Sequence, residues 1–269
     1  MDDLIICVAP CPGEKQTERF PGRFDLVREV VDAAEAGATI AHVHARDRQQ
    51  LQTKDVRWLT EDVRAIHERC DVIIEASTGG APEHRLEERC VSFNVPGVEL
   101  GTLNLGSINM YDGIYQNPRA DIEFYARELD VRGIEPIHIV FDLSHFGTLH
   151  GLERESLAHA PHIYSFVFDV PNTLAFSQRY LEIYLEHVPS GNPWFLSRYQ
   201  APGATAFHDA IERGGHVRVG FEDGPFLASG ARASSNAQLV EDIAKAAHAL
   251  GRPIASPARA RSILGLPVP

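Results

Sequence analysis

The chain has 269 residues, 44% of them hydrophobic and 23% charged, with a formal net charge of −12. This is the composition of a globular protein long enough to bury a large core, and its acidic balance argues against a nucleic-acid or membrane-surface binder, which needs a basic face. The opening MDDLIICVAP has no basic n-region, no apolar run reaches the roughly 18 residues of a membrane span, and Cys7, Cys11, Cys70 and Cys90 form no C-x-x-C pair, so the expectation is a cytoplasmic protein with reduced thiols.

Short apolar runs alternate with amphipathic segments along the chain. LIICVAP (4–10) is the first run. Leu26, Val30, Val31 and Ala34 then recur at helical spacing and predict a helix around 25–37, closed by Gly37. TIAHVHA (39–45) is the second run, and WLTEDVRAIHERC (58–70) reads as a helix with Thr60 as its N-cap. The third run is DVIIEASTGG (71–80), and the fourth and weaker one is GVELGTLNLGS (97–107). A helix around 120–130 precedes PIHIVFDLSH (136–145), and IYSFVFDVP (163–171) leads into a helix through 174–188. PWFLSRYQ (193–200), a helix around 204–213, HVRVGFED (216–223) and a long helix over 236–250, stopped by Gly251, complete the order.

Eight strand-like runs separated by helical segments predict an α/β fold, a (β/α)₈ TIM barrel in one domain over 1–269. An open doubly wound sheet is the rival, but no G-x-G-x-x-G follows the first run. The loops 10–22 and 223–235 are expected to cover one barrel end.

Catalytic groups of such barrels sit at the C-terminal ends of strands. In the second run His42, His44 and Arg46 fall at every second position, so they share a face if the segment is a strand. Two adjacent imidazoles suit zinc or a similar divalent metal, and they equally suit a hydrogen-bonded pair in the core. The eighth run raises the metal reading. Arg218, Gly220 and Glu222 share a face there, and an Arg and a Glu are costly among apolar helices. Glu222 then either offers a third ligand or forms a structural pair with Arg218 in the barrel core, and two His plus one carboxylate would leave coordination positions open for chemistry. Asp223 stands next as a candidate base, with Arg218 to orient it. The third run ends in Ser77, Thr78, Gly79 and Gly80, whose hydroxyls and backbone N–H groups suit a carboxylate, although a plain turn would look the same. Glu75 shares a face with Ser77 and, if inward, needs a partner such as an arginine. The fourth run offers Thr102 and Asn104 on one face. The fifth offers Ile137, Ile139 and Phe141, an apolar wall. Glu14 follows a Pro-Gly turn after the first run and is either a contact for a polar substrate end or a solvated side chain.

HVHARD, STGG, GSIN (106–109), GGHVRVGFED (214–223) and the segment 234–266 together resemble the β-keto acid cleavage enzymes, the group that includes 3-keto-5-aminohexanoate cleavage enzyme. The likeness runs over nearly the whole chain. It implies a TIM barrel assembled as a homotetramer, or a dimer, with zinc or another divalent metal on His42, His44 and Glu222. It implies a retro-Claisen exchange in which a β-keto acid and acetyl-CoA give acetoacetate and a new acyl-CoA. The family's catalytic aspartate falls on Asp223, its arginine partner on Arg218, the serine that holds the keto-acid carboxylate on Ser77 and a strand-four hydroxyl on Thr102. Glu14 matches an acidic position that contacts substrate. The chain departs from the pattern on the fifth run, where amino-acid-type members carry acidic residues in a PE-x-E pattern and this sequence has Ile137 and Ile139. A neutral or apolar substrate tail follows. After the first run PCPGE replaces the usual Thr-Gly-Ala, so no residue is assigned to CoA. Other readings are a zinc-dependent aldolase or hydrolase on the same barrel, and an inactive barrel that binds a keto acid or acyl-CoA. Against a hydrolase, the H-x-H is on the second run and the middle runs offer no clear ligand pair.

Overall fold

The computed structural model describes residues 2–11, 24–79, 84–201 and 205–267. The eight apolar runs become eight parallel strands: β1 (Ile6–Val8), β2 (Ile40–Val43), β3 (Ile73–Ala76), β4 (Val98–Asn104), β7 (Glu135–Val140), β8 (Ile163–Phe168), β9 (Trp194–Arg198) and β10 (His216–Val219). They close into a barrel in the order β1-β10-β9-β8-β7-β4-β3-β2. An antiparallel hairpin, β5 (Ile108–Met110) and β6 (Gly113–Tyr115), is inserted between β4 and β7.

Strand alternation sorts the side chains into layers. Ile5, Cys7, Ile40, Ile73, Leu100, Ile137, Ile163 and Phe195 fill the barrel interior. Their sequence neighbours, such as Ala41, Val43 and Ile74, face outward against the helices α1 (Leu26–Glu35), α2 (Arg57–His67) and α8 (Asn236–Ala249). On the other side, β7, β8 and β9 pack outward onto α4 (Arg119–Arg132), α5 (Ser144–Arg154), α6 (Gln178–Leu185) and α7 (Thr205–Glu212). The C-terminal helix α9 (Pro257–Leu264) brings Ala260 and Leu264 into the interior cluster. That seals the N-terminal end of the barrel and leaves the strand C-termini as the open end.

Helix ends follow local chemistry. Asp25 caps α1 by accepting from the Arg28 N–H at 3.2 Å, and Ser235 caps α8 through the Gln238 N–H at 3.1 Å. Thr60 is not a cap: α2 begins a turn earlier, and Asp55 accepts from the Arg57 N–H at 3.1 Å. Helix α5 is absent from the sequence reading because Gly147 and Gly151 and its histidines interrupt the helical pattern. It nonetheless buries Phe146, Leu149 and Leu152. Two further short elements, α3 (Leu86–Arg89) and the β5–β6 hairpin, were also unexpected. Among the described residues no helix is long and apolar enough to cross a membrane, and none of the four cysteines forms a disulfide.

Candidate active site

The strand C-termini surround a cavity of about 290 Å³. His42 enters it from β2, and His44 follows on the same face just past the strand end. Their Nε2 atoms lie 3.2 Å apart. Glu222 meets both: its Oε2 is 3.2 Å from His44 Nε2 and its Oε1 is 3.5 Å from His42 Nε2. Zinc bonds of about 2.0–2.2 Å to N and O in a tetrahedron place ligand atoms about 3.3–3.6 Å apart. The three donors match that spacing, and among the described residues this is the one group with a metal-ligating arrangement.

Parallel pairing of β2 and β3 sets His42 opposite Glu75. Glu75 Oε1 accepts from His42 Nδ1 at 2.9 Å, deep in the barrel, where both side chains are buried. That bond puts the imidazole proton on Nδ1 and leaves the Nε2 lone pair aimed at Glu222 and His44, the carboxylate–histidine arrangement that steadies metal ligands. The sequence asked for an arginine beside Glu75, and the structure supplies a histidine. Burial alone raises the Glu75 carboxyl, but the adjacent His42, its hydrogen bond and Arg218 outweigh burial and hold it below the usual carboxylate range. Burial pushes the His44 imidazole below its ordinary value, against the pull of Glu222, which favours the neutral, ligating form.

The second half of the polar cluster is made by a turn rather than by strand alternation. β10 ends at Val219, and Gly220 takes φ +152° against the β1 strand end, where an added Cβ would collide with the Ala9 carbonyl. The chain then turns: the Asp223 N–H donates to the Gly220 carbonyl at 3.0 Å and the Glu222 N–H to the Ala9 carbonyl at 3.1 Å. Fully buried Asn236 fastens the turn by accepting from the Phe221 N–H at 2.9 Å and donating to the Pro10 carbonyl at 3.2 Å. As a result two consecutive residues, Glu222 and Asp223, reach the same guanidinium. Arg218 donates to Glu222 Oε1 at 2.6 Å, to Asp223 Oδ2 at 2.9 Å and to Asp223 Oδ1 at 3.2 Å.

Within this hydrogen-bonded set three carboxylates, of Glu75, Glu222 and Asp223, meet one guanidinium. A bound divalent cation would offset the excess of negative charge in a site that water does not freely screen. Burial would raise Glu222, but His42, Arg218 and His44 outweigh it and hold the carboxyl well below its ordinary value. Asp223 goes the other way. Burial raises it and the charge of Glu222 adds to that, against the pull of Arg218. Two neighbouring carboxylates are thus pushed apart, one held in its ionised form and one given a raised affinity for a proton.

Ser77, Gly79, Thr102 and Asn104 line the cavity beside the imidazoles. Ser77 Oγ accepts from the Gly79 N–H at 2.9 Å, so its own proton is free to point into the cavity. A Cβ on Gly79 would stand 3.0 Å from Ser77 Oγ and 3.3 Å from His44 Cε1, so only glycine fits comfortably. Thr78 and Ile137 do not line the cavity. The Thr78 hydroxyl is 3.1 Å from Thr102 Oγ1 and accepts from Asn104 Nδ2 at 3.1 Å, which makes it a brace for its neighbours. Ile137 lies one layer lower, in the interior plug, while Ile139 and Phe141 reach the cavity. Arg46 turns away as β2 ends and donates to the Gln50 carbonyl at 2.5 Å. Glu14 and Gly80 fall outside the described residues.

Opposite the polar cluster the wall is apolar: Met110, Ile139, Phe141, Val167 and Val170, with Tyr111, Tyr115, Ser197 and Tyr199 between them. Sequence reading anticipated only the β7 part. The hairpin residues Met110, Tyr111 and Tyr115 come from a segment with no strand signal. Arg89, which braces Tyr115 from below with its guanidinium 5.5 Å from the ring centroid, also donates to the Thr78 carbonyl at 3.2 Å. Neither position carried a motif.

Fold and site define a TIM-barrel enzyme with a His-His-Glu cluster and an Arg–Asp pair at the mouth. The sequence model of the beta-keto acid cleavage enzymes matches residues 3–266. A 3-keto-5-aminohexanoate cleavage enzyme from Fusobacterium nucleatum is 34% identical over 278 aligned residues, 99% of this chain and 99% of that protein. A 3-oxoadipate:acetyl-CoA acetyltransferase from Cupriavidus necator is 30% identical, covering 90% of this chain and 86% of the relative. Among solved structures, apo ObcA superposes with a TM-score of 0.73 at 17% identity, covering 90% of this chain and 64% of that one, a likeness of fold. The chain belongs to the β-keto acid cleavage enzyme family, and it is an enzyme of the class that cleaves carbon–carbon bonds with acyl transfer.

Proposed function

We propose that the protein is a zinc-dependent β-keto acid cleavage enzyme, with another divalent metal able to serve, that converts a β-keto acid and acetyl-CoA into acetoacetate and a new acyl-CoA. The observation that carries this reading is the convergence of His42, His44 and Glu222, with donor atoms 3.2–3.5 Å apart, beside the Arg218–Asp223 pair. When bound, the metal supplies a Lewis acid that acidifies the carbon between the keto and carboxylate groups. Asp223 takes the proton from that carbon, and its raised affinity for a proton suits the task. Arg218 holds both Asp223 oxygens in place until the proton arrives. The Ser77 hydroxyl, whose oxygen already accepts from the Gly79 N–H, donates to the carboxylate, and Thr102 and Asn104 border the same side of the cavity. The carbanion attacks the acetyl thioester and expels CoA thiolate. The thiolate then adds to the original keto carbon, the carbon–carbon bond breaks, and the departing carbon regains its proton from Asp223 as acetoacetate leaves.

The apolar wall around Ile139 and Phe141 supports a substrate tail without positive charge. The resemblance supports a homotetramer or dimer, which light scattering in solution would establish, and the four unbridged cysteines suit a reducing cytoplasm. The test is incubation of zinc-loaded and metal-stripped protein with acetyl-CoA and a panel of β-keto acids. Acetoacetate is expected only from the loaded protein. Zinc content near zero per chain after loading would favour an inactive binding barrel instead.

A further inference from the structure

The β8–β9 wall holds a group that this chemistry leaves unused. Ser197 on β9 is paired with Val167 on β8, and both line the cavity. The residue is 1% exposed, and its Oγ has no hydrogen-bond partner among the described residues. The buried hydroxyls of Thr39, Tyr125 and Tyr184 are also unpartnered, but none of these residues lines the cavity. A buried hydroxyl left without a partner is costly, and the cost disappears if a ligand oxygen meets it.

Its surroundings define what that ligand can be. On its β8 and β7 side the wall is Ile139, Phe141, Val167 and Val170, all apolar, and the guanidinium of Arg218 on its β10 side is already engaged by Glu222 and Asp223. The pairings of Phe195 with His216 and Leu196 with Val217 put Ser197 one step further along, at the level where Arg218 starts the polar cluster. Tyr111 and Tyr199, with ring centroids 5.7 Å apart, stand on the hairpin side of the same cavity. An oxygen that reaches Ser197 therefore belongs to the first few atoms of the tail rather than to a distant end.

We propose that the preferred substrate is a short β-keto acid with an uncharged, mainly apolar tail that carries one hydrogen-bonding oxygen, a hydroxyl or carbonyl, and that Ser197 is the residue that selects it. The inference rests on the keto-acid reading of the site. The test compares 3-oxohexanoate with its 5-hydroxy and 6-hydroxy counterparts on wild-type protein, Ser197→Ala and Ser197→Thr. Both kcat/KM for acetoacetate formation and affinity by calorimetry on the metal-loaded protein are measured.

Wild type should favour one hydroxylated acid over 3-oxohexanoate by about tenfold or more in both measurements, as loss of a buried hydrogen bond implies. Ser197→Ala should level the acids by losing about tenfold on the hydroxylated one while 3-oxohexanoate stays within about twofold, and Ser197→Thr, which keeps the hydroxyl, should restore part of the preference. Equal losses on all acids in Ser197→Ala, or no preference in wild type, would overturn the inference. Acetoacetate from every acid without dependence on Ser197 would refute this inference and leave the proposed function standing. A Ser197-dependent affinity without any turnover would do the reverse, and no binding of any acid would refute both.

Discussion

The two halves of the barrel mouth are built on opposite rules. On the β2, β3 and β10 side nearly every polar atom is spoken for: His42 by Glu75, Asp223 by Arg218, and Glu222 by Arg218 and the imidazoles. On the β7, β8 and β9 side the wall is Ile139, Phe141, Val167 and Val170, and its one buried hydroxyl, on Ser197, has no partner among the described residues. The first half uses its hydrogen bonds to fix its own geometry, as the proposed metal binding and proton transfer would require. The second is shaped mainly by packing, so it can change its selectivity without disturbing the chemistry.

Breaking the polar half should have the largest effect. Asp223→Asn keeps the shape and a contact to Arg218 but cannot take the proton, and turnover should fall by about 10³-fold with metal content unchanged. Steady-state kinetics beside elemental analysis decide this, and unchanged turnover would remove Asp223 from its role. Next in size is Glu75→Gln, which leaves the ligands intact but weakens the orientation of His42. Zinc affinity should drop by about 10- to 100-fold in a chelator competition, and an unaltered affinity would make Glu75 only a core residue.

A carboxylate placed in the other half should blur the division. Ile139→Glu should cost about tenfold in kcat/KM on alkyl-tailed acids and improve acids bearing an ammonium group. If both kinds of acid respond alike, the β7 wall does not touch the tail.

An effect on stability, and not on turnover, lies outside both halves. Burial, reinforced by His162 and Arg252 respectively, lowers His138 and His216 to about 3. Both are neutral when folded, and the unfolded chain protonates them near the ordinary value of about 6.5. Stability is therefore full above about 6.5 and is lost as pH falls toward 3, at up to about 1.4 kcal/mol per pH unit for each histidine. Urea unfolding of metal-free protein across that range should show the loss, and His138→Asn should reduce its slope.

The fold was legible because strand burial leaves its own mark: eight apolar runs, each bounded by turn residues, became the eight barrel strands. Half of the site was legible for the same reason. His42 and His44 keep a period of two along β2, and an Arg and a Glu near the end of an apolar run have few tolerable places to go. What stayed hidden depends on register or on departures from it. No local pattern shows that Glu75 pairs with His42, since the contact is set by the alignment of β2 against β3. Strand alternation would send Glu222 and Asp223 to opposite faces, and only the turn at Gly220, held by Asn236, gives both to Arg218. Ser197 and the hairpin tyrosines look like ordinary residues until the barrel closes and turns them toward one cavity.

The central claim is that the polar half by itself generates the carbanion and the apolar half only selects the tail. Exchange of the protons between the keto and carboxylate groups of 3-oxohexanoate in D₂O, followed by NMR without acetyl-CoA, tests this directly. Zinc-loaded wild type and Ile139→Glu should both exchange well above the buffer rate, while zinc-loaded Asp223→Asn should not. Exchange by Asp223→Asn at the wild-type rate, with the metal retained, would contradict the account.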